Sequence, residues 1–538
     1  MSRRLIAVII SFAWLAGCGG RASGPVTSLP QLPFSGTGPG SGAHSVPPDT
    51  SPNELPEPPV VHAVNGVAKV TLIANINPAS GLPSFQYNYM HDIAPTIDIN
   101  PGEAFEFDLV NQLPPSKKEA SLANLHFHGL TVTPHKPSDD VLGMLAKPGQ
   151  TLHYVVHVPK NQEPGLYWYH MHVHGQTSYQ VGEGGMSGAI VIEGITKHIP
   201  ELAKMKQRLI IFRATGIGST LRTKDDMADM DMTAGPSDDA PDMNPRPNFS
   251  NTQPCGFRDG LSSTLNGALH PVITIAPGEK QFFRVVNASG HRTLRLNVEG
   301  EKVQVVAIDG FALDTYPGTP FITESDVIIP PAARAEFVVT GPKSGRTRFR
   351  TLCYYTGPNG DADPYVWLGD LVAPPHHRAG GDFSNRPLTV GQPLVPNYYN
   401  TKLPPPSVKR LAVFSENSKP HFFINGKSFK MTDPPMFVVK AGTVEEWRVL
   451  NTTYEIHDFH IHQIHFLVES VNGKKLAHPY WADSVVIPHR IGIGKQSVPG
   501  SLVLLMDFRD PIIRGEFLFH CHILDHEDQG MMAKIEVI

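Results

Sequence analysis

One segment occurs three times in this chain and limits the folds open to it. PTIDINPGEAFEFDLVN begins at Pro95, PVITIAPGEKQFFRVVN at Pro271 and PMFVVKAGTVEEWRVLN at Pro435, aligned without gaps. In each, the proline is followed seven residues later by glycine (Gly102, Gly278, Gly442) and nine after that by asparagine (Asn111, Asn287, Asn451). Apolar and polar residues alternate on both sides of the glycine, which predicts strand, turn, strand. A second triplet lies downstream: Gly165 leads into His170-Met171-His172, Gly345 into Arg350-Thr351-Leu352, and Gly515 into His520-Cys521-His522. A chain of 538 residues is too long for one core and suits about three. With 51 prolines and 48 glycines it favours short strands and turns. The expectation is an all-β protein of three Greek-key β-sandwich units, 59–200, 201–375 and 405–538, with a connector at 376–404.

The first residues read as an export signal. Arg3 and Arg4 precede an apolar run from Leu5 to Leu15, which is shorter than the roughly 20 residues a membrane span requires. Leu15-Ala16-Gly17-Cys18 resembles the bacterial lipobox, so Cys18 is expected to carry a lipid and to anchor the protein in the periplasm or at the cell surface. The alternative is an ordinary cleaved signal in which Cys18 is incidental. The arginine pair also fits twin-arginine export, as well as the general route. Residues 19–58 are rich in Gly, Pro and Ser and are expected to form a disordered tether. A net charge of −5 gives no reason to expect nucleic acid as a partner.

Histidines gather in four places: His126 and His128; His170, His172 and His174; His457, His460 and His462; and His520, His522 and His526. On a strand, residues i and i+2 share a face and i+1 points the other way. His520 and His522 therefore leave one face of their strand and Cys521 leaves the other, so one strand can serve two metal sites. On the cysteine side, His457, His526 and Met531 could complete a His₂Cys site with a weak axial thioether, the geometry of electron-transfer copper. The middle unit lacks such residues: Leu294 and Leu296 are read at the positions of His460 and His462, and Arg350, Thr351 and Leu352 replace the last motif.

The motifs H-x-H-G, W-Y-H-x-H, H-x-x-H-x-H and H-C-H-x₃-H-x₄-M make the chain similar to three-domain multicopper oxidases of the bacterial laccase type. The resemblance implies cupredoxin-like domains and four coppers that couple one-electron oxidation of phenols, aromatic amines or metal ions to reduction of dioxygen to water. It implies a type 1 copper on His457, Cys521 and His526 with Met531 axial, and a type 2 copper on His126 and His460. The type 3 pair would take His128, His170 and His522 on one ion and His172, His462 and His520 on the other. Glu527, with Asp139 or Asp140, would donate protons. Asp458 replaces the proline usual in this family, and a carboxylate there could lower the type 1 potential or bind a substrate cation. His174, His465, His376 and His377 are read as supporting or surface residues.

Cys255 and Cys353 are left as a candidate disulfide in an oxidising compartment. Residues 225–243, with Met227, Met230, Met232 and Met243 among aspartates, are either an acidic disordered loop or a collector of Cu(I) through thioethers. A monomer is expected. The competing reading is a copper-binding or electron-transfer protein without oxidase turnover. Within the oxidase reading, the alternative to a laccase is a cuprous or metal oxidase serving copper tolerance.

Overall fold

The computed structural model describes residues 54–92, 94–115, 121–215, 262–318, 321–361, 363–373, 388, 399, 401–417 and 421–538. The signal, Cys18, most of the tether, Cys255, the 225–243 segment, His376 and His377 lie outside the described residues.

Alternating sequence has become paired sheets in three successive units. In each unit the strand closing on the repeated asparagine lies parallel to an earlier strand in the same register: Ala74 sits opposite Asn111, Phe212 opposite Asn287 and Phe414 opposite Asn451. A second sheet packs across and contains the pair that follows the asparagine. These pairs are His126–His128 with Gly165–His170, Leu294–Val298 with Arg346–Leu352, and His457–Ile461 with Gly515–Cys521. Side chains from both sheets interleave between them. Phe105 and Phe107 meet Phe127 and Tyr169 in the first unit, Phe283 meets Phe349 in the second, and Trp447 meets Phe459 and Phe519 in the third. This is the cupredoxin-like β-sandwich expected from the sequence.

The repeated asparagine has a structural task. Each is fully buried and its amide donates to two carbonyls: those of Ser121 and Ala146 for Asn111, of Arg292 and Ile329 for Asn287, and of Glu455 and Ile487 for Asn451. Its Oδ1 then accepts the amide two residues on. Backbone groups at a strand crossing must find partners, and one asparagine supplies them in all three units.

These contacts also correct the register read for the middle unit. His460 pairs with His520, whereas Arg350, at the position of His520, pairs with Asn297. Asn297 and Glu299 therefore occupy the places of His460 and His462. Leu294 and Leu296 correspond to His457 and Phe459 and point into the core. The expected register is three residues out, and an odd shift moves a side chain to the other face of its strand; the loop after Asn287 is itself one residue longer than that after Asn451, counted to the carbonyl each amide meets.

The end of the expected tether is seated. The amide of Leu55 donates to the Val272 carbonyl at 2.7 Å, and its side chain is buried in the core of the middle unit. Glu54 meets Arg208 at 3.0 Å. A leucine among prolines is enough apolar surface to dock, which composition alone did not reveal. Cys353 is disulfide-bonded, while Cys255, its candidate partner, lies outside the described residues.

Candidate metal centre

Strand pairing brings the four histidine groups together. The first unit contributes His126, His128, His170 and His172; the third contributes His460, His462, His520 and His522. All eight are 3 % exposed or less. His126 stacks on His462 at 3.7 Å and His128 on His460 at 3.9 Å across the boundary between units. Ligand atoms lie within 4.8 Å of one another in the groups His172, His462, His520; His126, His460, His462; and His126, His128, His170. His522 belongs to none of these groups, but its ring is 5.2 Å from His128 and 5.4 Å from His170.

One nitrogen of each of several rings is already committed. Nδ1 of His126 is 2.9 Å from Asp139, Nδ1 of His170 meets the Met171 carbonyl, Nδ1 of His460 meets the Asp483 carbonyl, and Nε2 of His128 meets the Asp483 carboxylate at 3.1 Å. The opposite nitrogens, Nε2 of His126, His170 and His460 and Nδ1 of His128, have no hydrogen-bond partner among the described residues. Buried polar atoms without partners are costly, and four imidazole nitrogens presented by converging rings fit metal ions. Burial first, and neighbouring rings second, hold His126, His170, His462 and His522 well below the ordinary histidine value, which keeps these rings neutral, the state in which an imidazole can bind a metal.

The second site lies behind the same strand. Cys521 Sγ is 3.8 Å from His457 Nδ1 and 3.6 Å from His526 Nδ1, and the two Nδ1 atoms are 3.0 Å apart. Met531 is fully buried in the same core, held by backbone hydrogen bonds to Cys521 and His526. Burial pushes the Cys521 thiol far up, so a thiolate there needs a cation beside it. Two imidazoles, a thiolate and a thioether suit copper that changes oxidation state. The faces of the strand are as expected: His520 and His522 look toward the eight-histidine cluster, Cys521 away from it.

The acidic residues separate. Asp139 touches His126 and accepts from Gln463 at 2.5 Å, and burial pushes its carboxyl up to about 7. Asp140 does not face the cluster; it accepts the Gly143 amide in a turn at 2.7 Å. Glu527 lies 3.2 Å from His520 Nδ1 and accepts from Thr177 at 3.1 Å. Burial alone would raise it, but the His520 and His172 rings outweigh burial and hold it well below the carboxylate range.

Asp458 departs from expectation. It is 1 % exposed and leaves the strand on the face opposite His457, with no hydrogen-bond partner for either oxygen among the described residues. Burial, with Asp309 and Asp483 nearby, holds its carboxyl well above the usual range. A neutral acid sealed from solvent cannot capture a substrate cation. His465 is the supporting residue expected, 3.2 Å from Asp483. His174 packs on Phe429.

Sequence reading missed Asp483, whose carboxylate joins His128, His465 and Arg334. Burial would raise this carboxyl, but Arg334 and then His128 hold it well below its ordinary value. It also missed Glu455, 3.6 Å from His526 Nε2, and the buried Glu416 beside it. No short motif marks these residues, because their partners lie far away along the chain.

Known proteins resemble this chain in sequence and fold. Multicopper oxidase family profiles match residues 80–197, 219–362 and 402–538. Multicopper oxidase mco of Staphylococcus epidermidis is 26 % identical over 461 residues, covering 83 % of this chain and 82 % of its own. The laccase of Bacillus subtilis is 24 % identical over 400 residues, covering 71 % and 72 %. The solved structure of a Campylobacter jejuni multicopper oxidase superposes with a TM-score of 0.65 at 22 % identity, covering 90 % of this chain and 96 % of that one. With profiles over most of its length and histidine and cysteine sites suited to type 1, 2 and 3 copper, the chain belongs to the multicopper oxidases, oxidoreductases that pass electrons from a reducing substrate to dioxygen.

Proposed function

We propose that His457, Cys521 and His526, with Met531 as a weaker fourth ligand, would hold the type 1 copper, that His126 and His460 would hold type 2, and that the type 3 pair would take His128, His170 and His522 on one ion and His172, His462 and His520 on the other. Bound there, copper supplies one-electron storage and the place where dioxygen is reduced to water. The chain's part is to link the two sites and to move protons. Cys521 is bonded directly to His520 and His522, so the through-bond path from donor site to cluster is a few backbone atoms long. Asp139 beside His126, whose carboxyl is raised, is the proton donor, and Glu527 beside His520, held ionised, must first accept a proton before it passes one on. We assign the three units to 59–200, 201–375 and 405–538, and export to the signal with a lipid at Cys18.

The donor we favour is a small metal cation, and one observation carries this. His526, the ligand nearest solvent at 9 % exposure, has Glu455 3.6 Å from its outer nitrogen, with Glu416 beside Glu455 and the exposed Asp361 nearby. Burial and repulsion by Glu416 hold the Glu455 carboxyl well above its ordinary value. Two carboxyls sharing a proton are a place where a cation can replace that proton. Glu455→Gln is expected to raise KM for Cu(I) or Fe(II) roughly tenfold while leaving KM for a phenol within a factor of two. Equal effects on both donors would refute the cation reading and favour a laccase. About four coppers per chain with oxygen uptake would separate an oxidase from a copper carrier.

A further inference from the structure

We infer that Arg334, in the middle unit that supplies none of the proposed ligands, is a positioning residue for the trinuclear site: through Asp483 it fixes the ring of His128 with Nδ1 toward the cluster. The inference rests on the ligand set proposed above.

Arg334 is fully buried where the three units meet. Its guanidinium forks onto Asp483 of the third unit, Nη1 to Oδ1 at 2.7 Å and Nη2 to Oδ2 at 2.6 Å. Its Nε donates to the Leu166 carbonyl of the first unit at 3.1 Å, and its own amide donates to Asp309 at 2.8 Å. Asp483 passes this anchoring on. Its carboxylate meets His128 Nε2 at 3.1 Å and its carbonyl meets His460 Nδ1 at 2.8 Å. One residue thus orients two stacked rings from different units.

His128 is the ring at which this control is needed. His126, His170 and His460 commit Nδ1 and present Nε2, whereas His128 commits Nε2 and presents Nδ1. Without the carboxylate, His128 Nε2 would keep only the long contact to Ser484 Oγ at 3.4 Å, a hydroxyl that itself donates to Asp483 at 2.9 Å. A carboxylate left there without Arg334 would be a buried charge lacking its cation, which drives side chains to rearrange. Gly129 completes the device. At φ +85°, a Cβ there would collide with Nη2 of Arg334 and lie 2.7 Å from Asp483 Oδ2, so the glycine after His128 admits the ion pair to the cluster wall.

The test compares copper-loaded Arg334→Gln with Arg284→Gln. Arg284 makes an equally buried pair with Glu336 at 2.6 Å in the same unit and touches no cluster ligand. Arg334→Gln is expected to keep the blue type 1 absorption while type 3 absorption and oxygen uptake fall roughly 10- to 100-fold, as outer-shell changes do. Arg334→Lys, which keeps the charge without the fork, is expected to recover part of the type 3 signal. Arg284→Gln is expected to keep both signals. Normal type 3 absorption in Arg334→Gln, or equal loss in Arg284→Gln, would overturn the inference. Should Arg334→Gln not fold, Asp483→Asn takes its place, with selective type 3 loss supporting the inference and retention overturning it. A wild-type protein lacking type 3 absorption would instead sink the ligand assignment itself.

Discussion

The third unit and the middle unit share one strand pair and have used it in opposite ways. In the third, His460 faces His520 and Cys521 lies behind with His457; in the middle, Asn297 faces Arg350, and Thr351 and Leu294 take the places of Cys521 and His457. Backbone, register and the buried asparagine are common to both. The scaffold therefore positions side chains without regard to their chemistry, and metal binding lives in a few substitutions on it. The middle unit is still not inert. It puts an apolar side chain in the place of His457, Leu294 being 0 % exposed, and sends Arg334 and Asp309 to the wall of the histidine cluster.

The largest break in that contrast comes at Cys521. Cys521→Ser is expected to abolish the blue absorption and lower donor oxidation by at least about 100-fold, more than outer-shell changes cost, while type 3 copper remains. Visible spectra with copper content check this. A blue Cys521→Ser protein would mean that the cysteine face of the strand holds no copper. Thr351→Ser, the same register position in the middle unit, should leave every spectrum unchanged.

Removing copper comes next. The first and third units meet through imidazoles several of whose buried nitrogens have no hydrogen-bond partner among the described residues, whereas the middle unit closes its own positions with hydrogen bonds. Loss of ions that bind only the folded state is expected to lower the thermal midpoint by roughly 5–10 °C, with re-addition restoring it. Calorimetry of apo and loaded protein decides. Coincident transitions would show that copper does not hold the two units together.

Much of this was legible in the chain, and the parts that were not share a cause. The repeat gave the sandwiches, because strand alternation and a buried asparagine are local patterns. The i, i+2 rule gave both faces of the 520–522 strand, since side-chain direction there follows from the backbone alone. The middle-unit register failed by three residues because loop lengths between strands cannot be counted from residue types. Asp458 was misplaced for a related reason: its neighbour His457 is a candidate ligand, but neighbours on a strand face opposite ways. Asp483 and Glu455 were invisible, as each acts on a partner brought near only by the fold.

The smallest effect sharpens the comparison most, because it uses one register position twice. His520→Ala should remove type 3 absorption and about one copper per chain, the ordinary result of deleting a ligand from a multi-ligand site. Arg350→Ala changes the equivalent residue of the middle unit. Arg350 holds Asn297 Oδ1 and Glu299 Oε1, both at 2.7 Å, and lies over the Tyr365 ring at 5.6 Å. Its partner Glu299 is well exposed, with 44 % of its side chain in solvent, so water screens the pair and it stabilises by about 0.5–1 kcal/mol. A midpoint lowered by about 1–3 °C with copper content, colour and oxygen uptake unchanged is expected. Copper loss in Arg350→Ala would mean that the middle unit's strand pair reaches the cluster directly, leaving Arg334 as one route among several.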